Sequence, residues 1–81
     1  MINVSVEVSY YPLVDEFCEP IDIFIRKIRE NKKITLDVGI MSSVITGEFS
    51  EIMELLKNTM EELMILFPSI FSFKISNTCT I

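Results

Sequence analysis

Residues 2–13, INVSVEVSYYPL, constrain this chain more than any other stretch. Ile2, Val4, Val6, Val8 and Tyr10 alternate with Asn3, Ser5, Glu7, Ser9 and Tyr11, a period of two held over ten residues. Successive side chains on a strand point to opposite faces, so the pattern predicts a strand with one apolar and one polar face. Such a strand needs neighbours on both edges and a layer over its apolar side, and the rest of the chain has to supply them. It stops at Pro12, which cannot donate to a ladder and biases Tyr11 towards extended backbone.

After an acidic connection over residues 14–19, Pro20 suits the first turn of a helix, where its missing N–H costs nothing. Ile21, Phe24, Ile25 and Ile28 form one apolar stripe of a helix ending near Asn31. Asp22 near its start and Arg26, Lys27 and Arg29 near its end suit the helix dipole. Asn31-Lys32-Lys33 reads as a turn, and Ile34, Leu36, Val38 and Ile40 then alternate with Thr35, Asp37, Gly39 and Met41. Met41-Ser42-Ser43 reads as a hairpin connection, returning as a strand over residues 44–49. In that strand Ile45 and Phe49 are the core candidates, Gly47 leaves room for a helix to pack closely, and Val44, Thr46 and Glu48 face away. A bulge near Ser43 would reverse the two faces. Ser50 reads as an N-cap with Glu51 in the first turn, and Ile52, Leu55, Leu56, Thr59, Met60, Leu63 and Phe67 continue as a helical stripe until Pro68. Residues 69–76 read as the last strand, with Phe71, Phe73 and Ile75 on one face and Ile70, Ser72 and Lys74 on the other.

Strand, helix, strand, strand, helix, strand is the order of the split β-α-β arrangement, in which two helices cover one face of a four-stranded sheet. The expected fold is therefore a ferredoxin-like α+β sandwich, an antiparallel sheet in the order 4-1-3-2 with the first strand central. At 81 residues, 49% of them hydrophobic, the chain reads as a single domain with a sizeable core. Its apolar runs fall far short of the roughly 20 residues of a membrane helix, and no basic segment precedes an apolar one at the N-terminus. The expected location is the cytoplasm, with Cys18 and Cys79 as reduced thiols. The net charge of −5 disfavours nucleic acid and anionic lipid and favours neutral or cationic partners. The absence of histidine removes the commonest general base and metal ligand, so neither a metal site nor an enzyme is expected.

In this fold the sheet face without helices carries Asn3, Ser5, Glu7, Ser9 and Tyr11 of the first strand, Thr35, Asp37, Gly39 and Met41 of the second, and Val44, Thr46 and Glu48 of the third. It is rich in hydroxyls and holds carboxylates, and reads either as a solvated face or as a polar pocket or subunit interface. Glu7 could meet a cation there, and Tyr11 with Met41 could make a small stacking site. Tyr10 belongs to the core face by parity.

Two segments carry a resemblance. Ser9-Tyr10-Tyr11-Pro12-Leu13 resembles the S-x-Y-P-L that ends the first strand of the small, YkoF-like thiamine-binding proteins. Residues 39–48, GIMSSVITGE, are similar to the same family's hairpin, G-P-M-x-T-x-I-E-G-[DE]. Ile40 stands where that family has Pro, Ser43 where it has Thr, and Thr46 where it has Glu. The resemblance implies a ferredoxin-like fold, assembly into dimers or tetramers through the sheets, and binding of thiamine or its hydroxymethylpyrimidine part without catalysis. Thiamine would be a bound ligand; no cofactor is implied. The expected ligand-binding residues are Glu7, Ser9, Tyr11, Met41, Ser43 and Thr46. The expected partners are a small cationic or pyrimidine-like ligand and the chain itself, through sheet edges or the open sheet face. A structural or regulatory oligomerisation module without a small ligand is the alternative.

Overall fold

The computed structural model describes residues 2–39 and 42–78. Six elements follow in order: β1 (Asn3–Pro12), α1 (Cys18–Arg29), β2 (Thr35–Val38), β3 (Ser43–Glu48), α2 (Phe49–Leu66) and β4 (Ser69–Ser76). The four strands form one antiparallel sheet in the order β2-β3-β1-β4, the expected order read from the other edge. This is the ferredoxin-like α+β fold. The alternation of β1 takes effect directly. Val4, Val6 and Val8 are buried in one core cluster with Ile45 of β3, Phe24 and Ile28 of α1, and Ile52, Leu56 and Leu63 of α2. Both helices therefore lie on the valine side of β1, and its odd-numbered residues face the other way. No described helix is long and apolar enough to cross a membrane.

Local departures from the expected elements have physical causes. α1 begins at Cys18, two residues before Pro20, which is buried within its first turn. Glu48, not Ser50, caps α2: its extended backbone lets the carboxylate accept from the N–H groups of Ser50 and Glu51 at 3.3 and 3.2 Å. Phe49 accordingly opens the helix instead of closing β3, and it is exposed. Ser43 is already in the strand, paired with Val8 on one side and Val38 on the other. Gly47 makes room, but for a side chain outside the helices: a Cβ there would lie 2.9 Å from Cγ2 of Ile34. Gly39 is equally confined, its N–H bonded to the Ser42 carbonyl at 2.8 Å, which also stands 2.8 Å from where a Cβ would sit.

β4 completes the sheet beside β1, and Leu13 N–H bonded to the Pro68 carbonyl at 2.8 Å clamps its start. Register sets Phe71, Phe73 and Ile75 opposite Tyr10, Val8 and Val6, hence on the helix side as expected. Only Phe71 is well packed there. Phe73 and Ile75 keep 45% and 44% of their surface in water, because the helix layer stops short of the second half of β4.

Candidate functional site

Two surfaces compete for function, one on each side of the sheet. The open face is built from cross-strand rows. Thr35, Thr46, Ser5 and Ser76 form one, in which Ser5 Oγ and Thr46 Oγ1 lie 3.3 Å apart. Asp37, Val44, Glu7 and Lys74 form the next. Ser9 stands beside Ser72 and Tyr11 beside Ile70. Strands are about 4.8 Å apart, so Asp37 and Glu7, separated by Val44, are about 10 Å from each other. That is too far for the two carboxylates to share one proton or one small ion. Among the described residues no group of three or more acidic or cysteine side chains could hold a metal ion.

The second surface is concave. A cavity of about 110 Å³ opens where α1 crosses the ends of β1, β2 and β3. Tyr10 and Phe24 give it an aromatic wall, and Val8, Ile21 and Ile25 an aliphatic one. Val38, Gly39, Ser42 and Ser43 of the β2–β3 hairpin close its far side. Tyr10 is held hard: its ring stacks on Phe71 with centroids 4.4 Å apart and planes 3° from parallel, and it meets Phe24 at 5.7 Å. Its hydroxyl lies 3.0 Å from Ser69 Oγ, which donates to the Phe67 carbonyl at 3.0 Å. The ring is thus fixed from both ends. Ser43, only 8% exposed, stands beside Ser42 on the hairpin side of the cavity. An apolar hollow with few, fixed polar groups is the usual form of a small-molecule site.

The structure divides the expected ligand set. Glu7, Ser9, Tyr11 and Thr46 share the open face, Tyr11 half exposed at its end. Ser43 lies on the opposite side of the sheet, in the cavity, and Met41 falls outside the described residues. What reasoning from sequence passed over is that Tyr10 and Phe24 border a hollow. Parity contained part of the signal, since Ser43 is two residues from Ile45 and must share its face.

A larger concavity of about 400 Å³ lies between the helices. It is lined by charged groups, including Lys27 and Glu62, which form an ion pair at 2.6 Å. Neither motif contributes to it. The Glu62 carboxylate bonded to Lys27 raises the lysine pKa above its ordinary 10.5.

No protein-family model matches the chain, and no curated protein does. Solved structures do. A protein of Streptococcus pneumoniae is similar with a TM-score of 0.84 and 26% identity, over 93% of this chain and 86% of that one. A "putative thiamine biosynthesis/salvage protein" of Thermotoga maritima is similar with a TM-score of 0.81 and 27% identity, over 91% of this chain and 82% of that one. A domain of unknown function from Bacillus cereus, at 17% identity and a TM-score of 0.74 over 99% of this chain and 82% of that one, shares the fold. In fold, and in about a quarter of its residues, the chain is thus similar to small ferredoxin-like proteins, one of them described as a thiamine biosynthesis/salvage protein, in keeping with the family its two motifs resemble.

Proposed function

We propose that this chain is a non-catalytic binding protein for thiamine or a hydroxymethylpyrimidine-like compound, working as a homo-oligomer. One observation supports this most: Tyr10 of the SYYPL segment and Gly39, Ser42 and Ser43 of the hairpin segment, more than 25 residues apart in sequence, line one cavity. At about 110 Å³ it has the volume of a few waters, room for one six-membered ring and not for a two-ring molecule. The pyrimidine would lie in the hollow against the wall that Tyr10 and Phe24 form together, with Ser43 bonding its edge, and a thiazolium would remain outside, attracted by the −5 net charge. Catalysis has little support in this chain, which has no histidine and no paired carboxylates on its open face.

Calorimetry with hydroxymethylpyrimidine and thiamine tests the reading. The wild-type chain is expected to bind, and Ser43→Val to weaken binding about tenfold, the value of one buried hydrogen bond. Glu7→Gln, on the open face, should leave affinity unchanged. A greater loss from Glu7→Gln than from Ser43→Val would move the site to the open face, where Ser9, Tyr11 and Thr46 are also available. Absence of heat and of thermal shift at millimolar ligand would reject ligand binding. It would favour the second reading, an oligomerisation module, which is supported by the uncovered sheet face and the unpaired outer edge of β4.

A further inference from the structure

The end of the molecule where β1 finishes and β4 begins has an apolar surface that no described residue covers. Leu13, Phe17 and Leu66 are 57%, 54% and 59% exposed there. The facing pair Tyr11 and Ile70, both 51% exposed, continues this surface round to the open face. We propose that this end is the docking surface for a basic amphipathic helix of another protein. The proposal goes beyond the ligand reading and does not depend on it.

Local structure does not call for these side chains. Phe17 holds the N-cap position of α1 yet its side chain caps nothing, where serine, threonine, aspartate or asparagine would be favoured. Leu13 belongs to the SYYPL segment, but the cavity does not use it. The fold brings the three to one end. Leu13 N–H is bonded to the carbonyl of Pro68, just beyond the end of α2. Leu66 is one turn from Glu62, on the flank of α2 that meets Lys27 of α1. Phe17 immediately precedes α1, and its carbonyl accepts from Ile21 N–H. Exposed apolar side chains gathered in this way on a small protein mark a contact site.

Charge selects the partner. Residues 1–25 and 58–73 contain seven carboxylates and no lysine or arginine, and Asp15, Glu16 and Glu19, which flank Phe17 in sequence, are all exposed. Five of the seven bases lie in residues 26–33, towards the other end of α1. Helix rise puts Arg29 about 17 Å from Cys18, beyond the roughly 10 Å over which salt leaves charges in touch. A second copy presenting the same end would set carboxylate against carboxylate, and anionic lipid would be repelled likewise. The chain's own basic segment offers no apolar face: Ile28 is buried, and Lys27 and Lys33 already meet Glu62 and Glu51. Strand addition has little to bond here, since Pro12 and Pro68 lack N–H groups and that of Leu13 is taken. Side chains must carry the contact. That suits a helix with an apolar stripe on Leu13, Phe17 and Leu66 and lysines or arginines towards Asp15, Glu16 and Glu19.

Fluorescence anisotropy with labelled synthetic helices tests this. The probe is an amphipathic helix of leucine and lysine about four turns long, with a twin in which glutamate replaces lysine. The chain should bind the lysine helix and not its twin, and salt should weaken the binding. Phe17→Ser and Leu66→Ser should each weaken it about fivefold or more. Ile2→Ser, at a residue 53% exposed beside the start of β1, should leave it unchanged. If either of the first two variants fails to fold by circular dichroism, Glu16→Lys with Glu19→Lys should weaken binding of the lysine helix in its place. No binding at about 100 µM, equal binding of the two helices, or an Ile2→Ser loss equal to that of Phe17→Ser would overturn the proposal. A wild-type dimer that Phe17→Ser disperses would also overturn it and give the surface to a second copy. Pelleting with phosphatidylglycerol vesicles that Phe17→Ser abolishes would overturn it in favour of lipid.

Discussion

Gly47 lacks a side chain because Ile34 occupies the space beside it, 2.9 Å from where a Cβ would be. A methyl group there has to displace Ile34, which is itself packed against the core. Gly47→Ala should therefore cost about 1–2 kcal/mol in urea denaturation, overpacking outweighing the gain from a stiffer unfolded chain. In an Ile34→Ala background the same change should cost close to nothing, and full additivity of the two would refute the contact. Residues of this kind also mark how far sequence alone reached. The faces of β1 follow from alternation, and with them Glu7, Ser9 and Tyr11 on the open side; Thr46 joins them only through the pairing of β3, whose faces the sequence leaves open to reversal. Serine favours turns, so Ser43 reads as part of the hairpin connection, while pairing with Val8 and Val38 draws it into β3. The cavity depends on where α1 crosses the sheet, which no short-range pattern encodes.

Among the described residues, charged side chains tie the two helical segments together at two places. Asn31 donates to Glu51 Oε1 at 3.2 Å, tying the end of α1 to the start of α2, and Lys33 reaches the same carboxylate at 3.8 Å. Further along, Lys27 pairs with Glu62. That hydrogen bond raises the lysine pKa, so its contribution is complete below the ordinary lysine value of 10.5 and is lost as pH rises through the higher folded value. Both groups are accessible to water, so the contribution is small. Lys27→Met should lower the melting temperature slightly at pH 7, with the difference from wild type shrinking above pH 10.5. A difference that instead grew in alkali would contradict the pairing. The caps show the same limit of reading by element. A serine ahead of an apolar stripe suggested the N-cap of α2, yet the extended backbone at Glu48 places a longer carboxylate in the same role.

At the scale of the whole molecule, the central position of β1 has a consequence for how the chain comes together. Its partners arrive late: Ser5 pairs with Thr46 on one side and with Ser76 on the other. β1 is therefore made well before either of its partners, and neither of its ladders can close until β3 has followed it. Pairings so distant in sequence make loop closure costly and folding slow for a protein of this size. Refolding from urea is expected in the millisecond-to-second range, and microsecond refolding would argue that local helix formation governs it instead. During synthesis both edges of β1 stay without a strand until β3 appears, and a nascent chain halted before Ser43 would expose a strand with open ladders on either side. The order that gives β1 two neighbours in the finished sheet leaves it without any at the start.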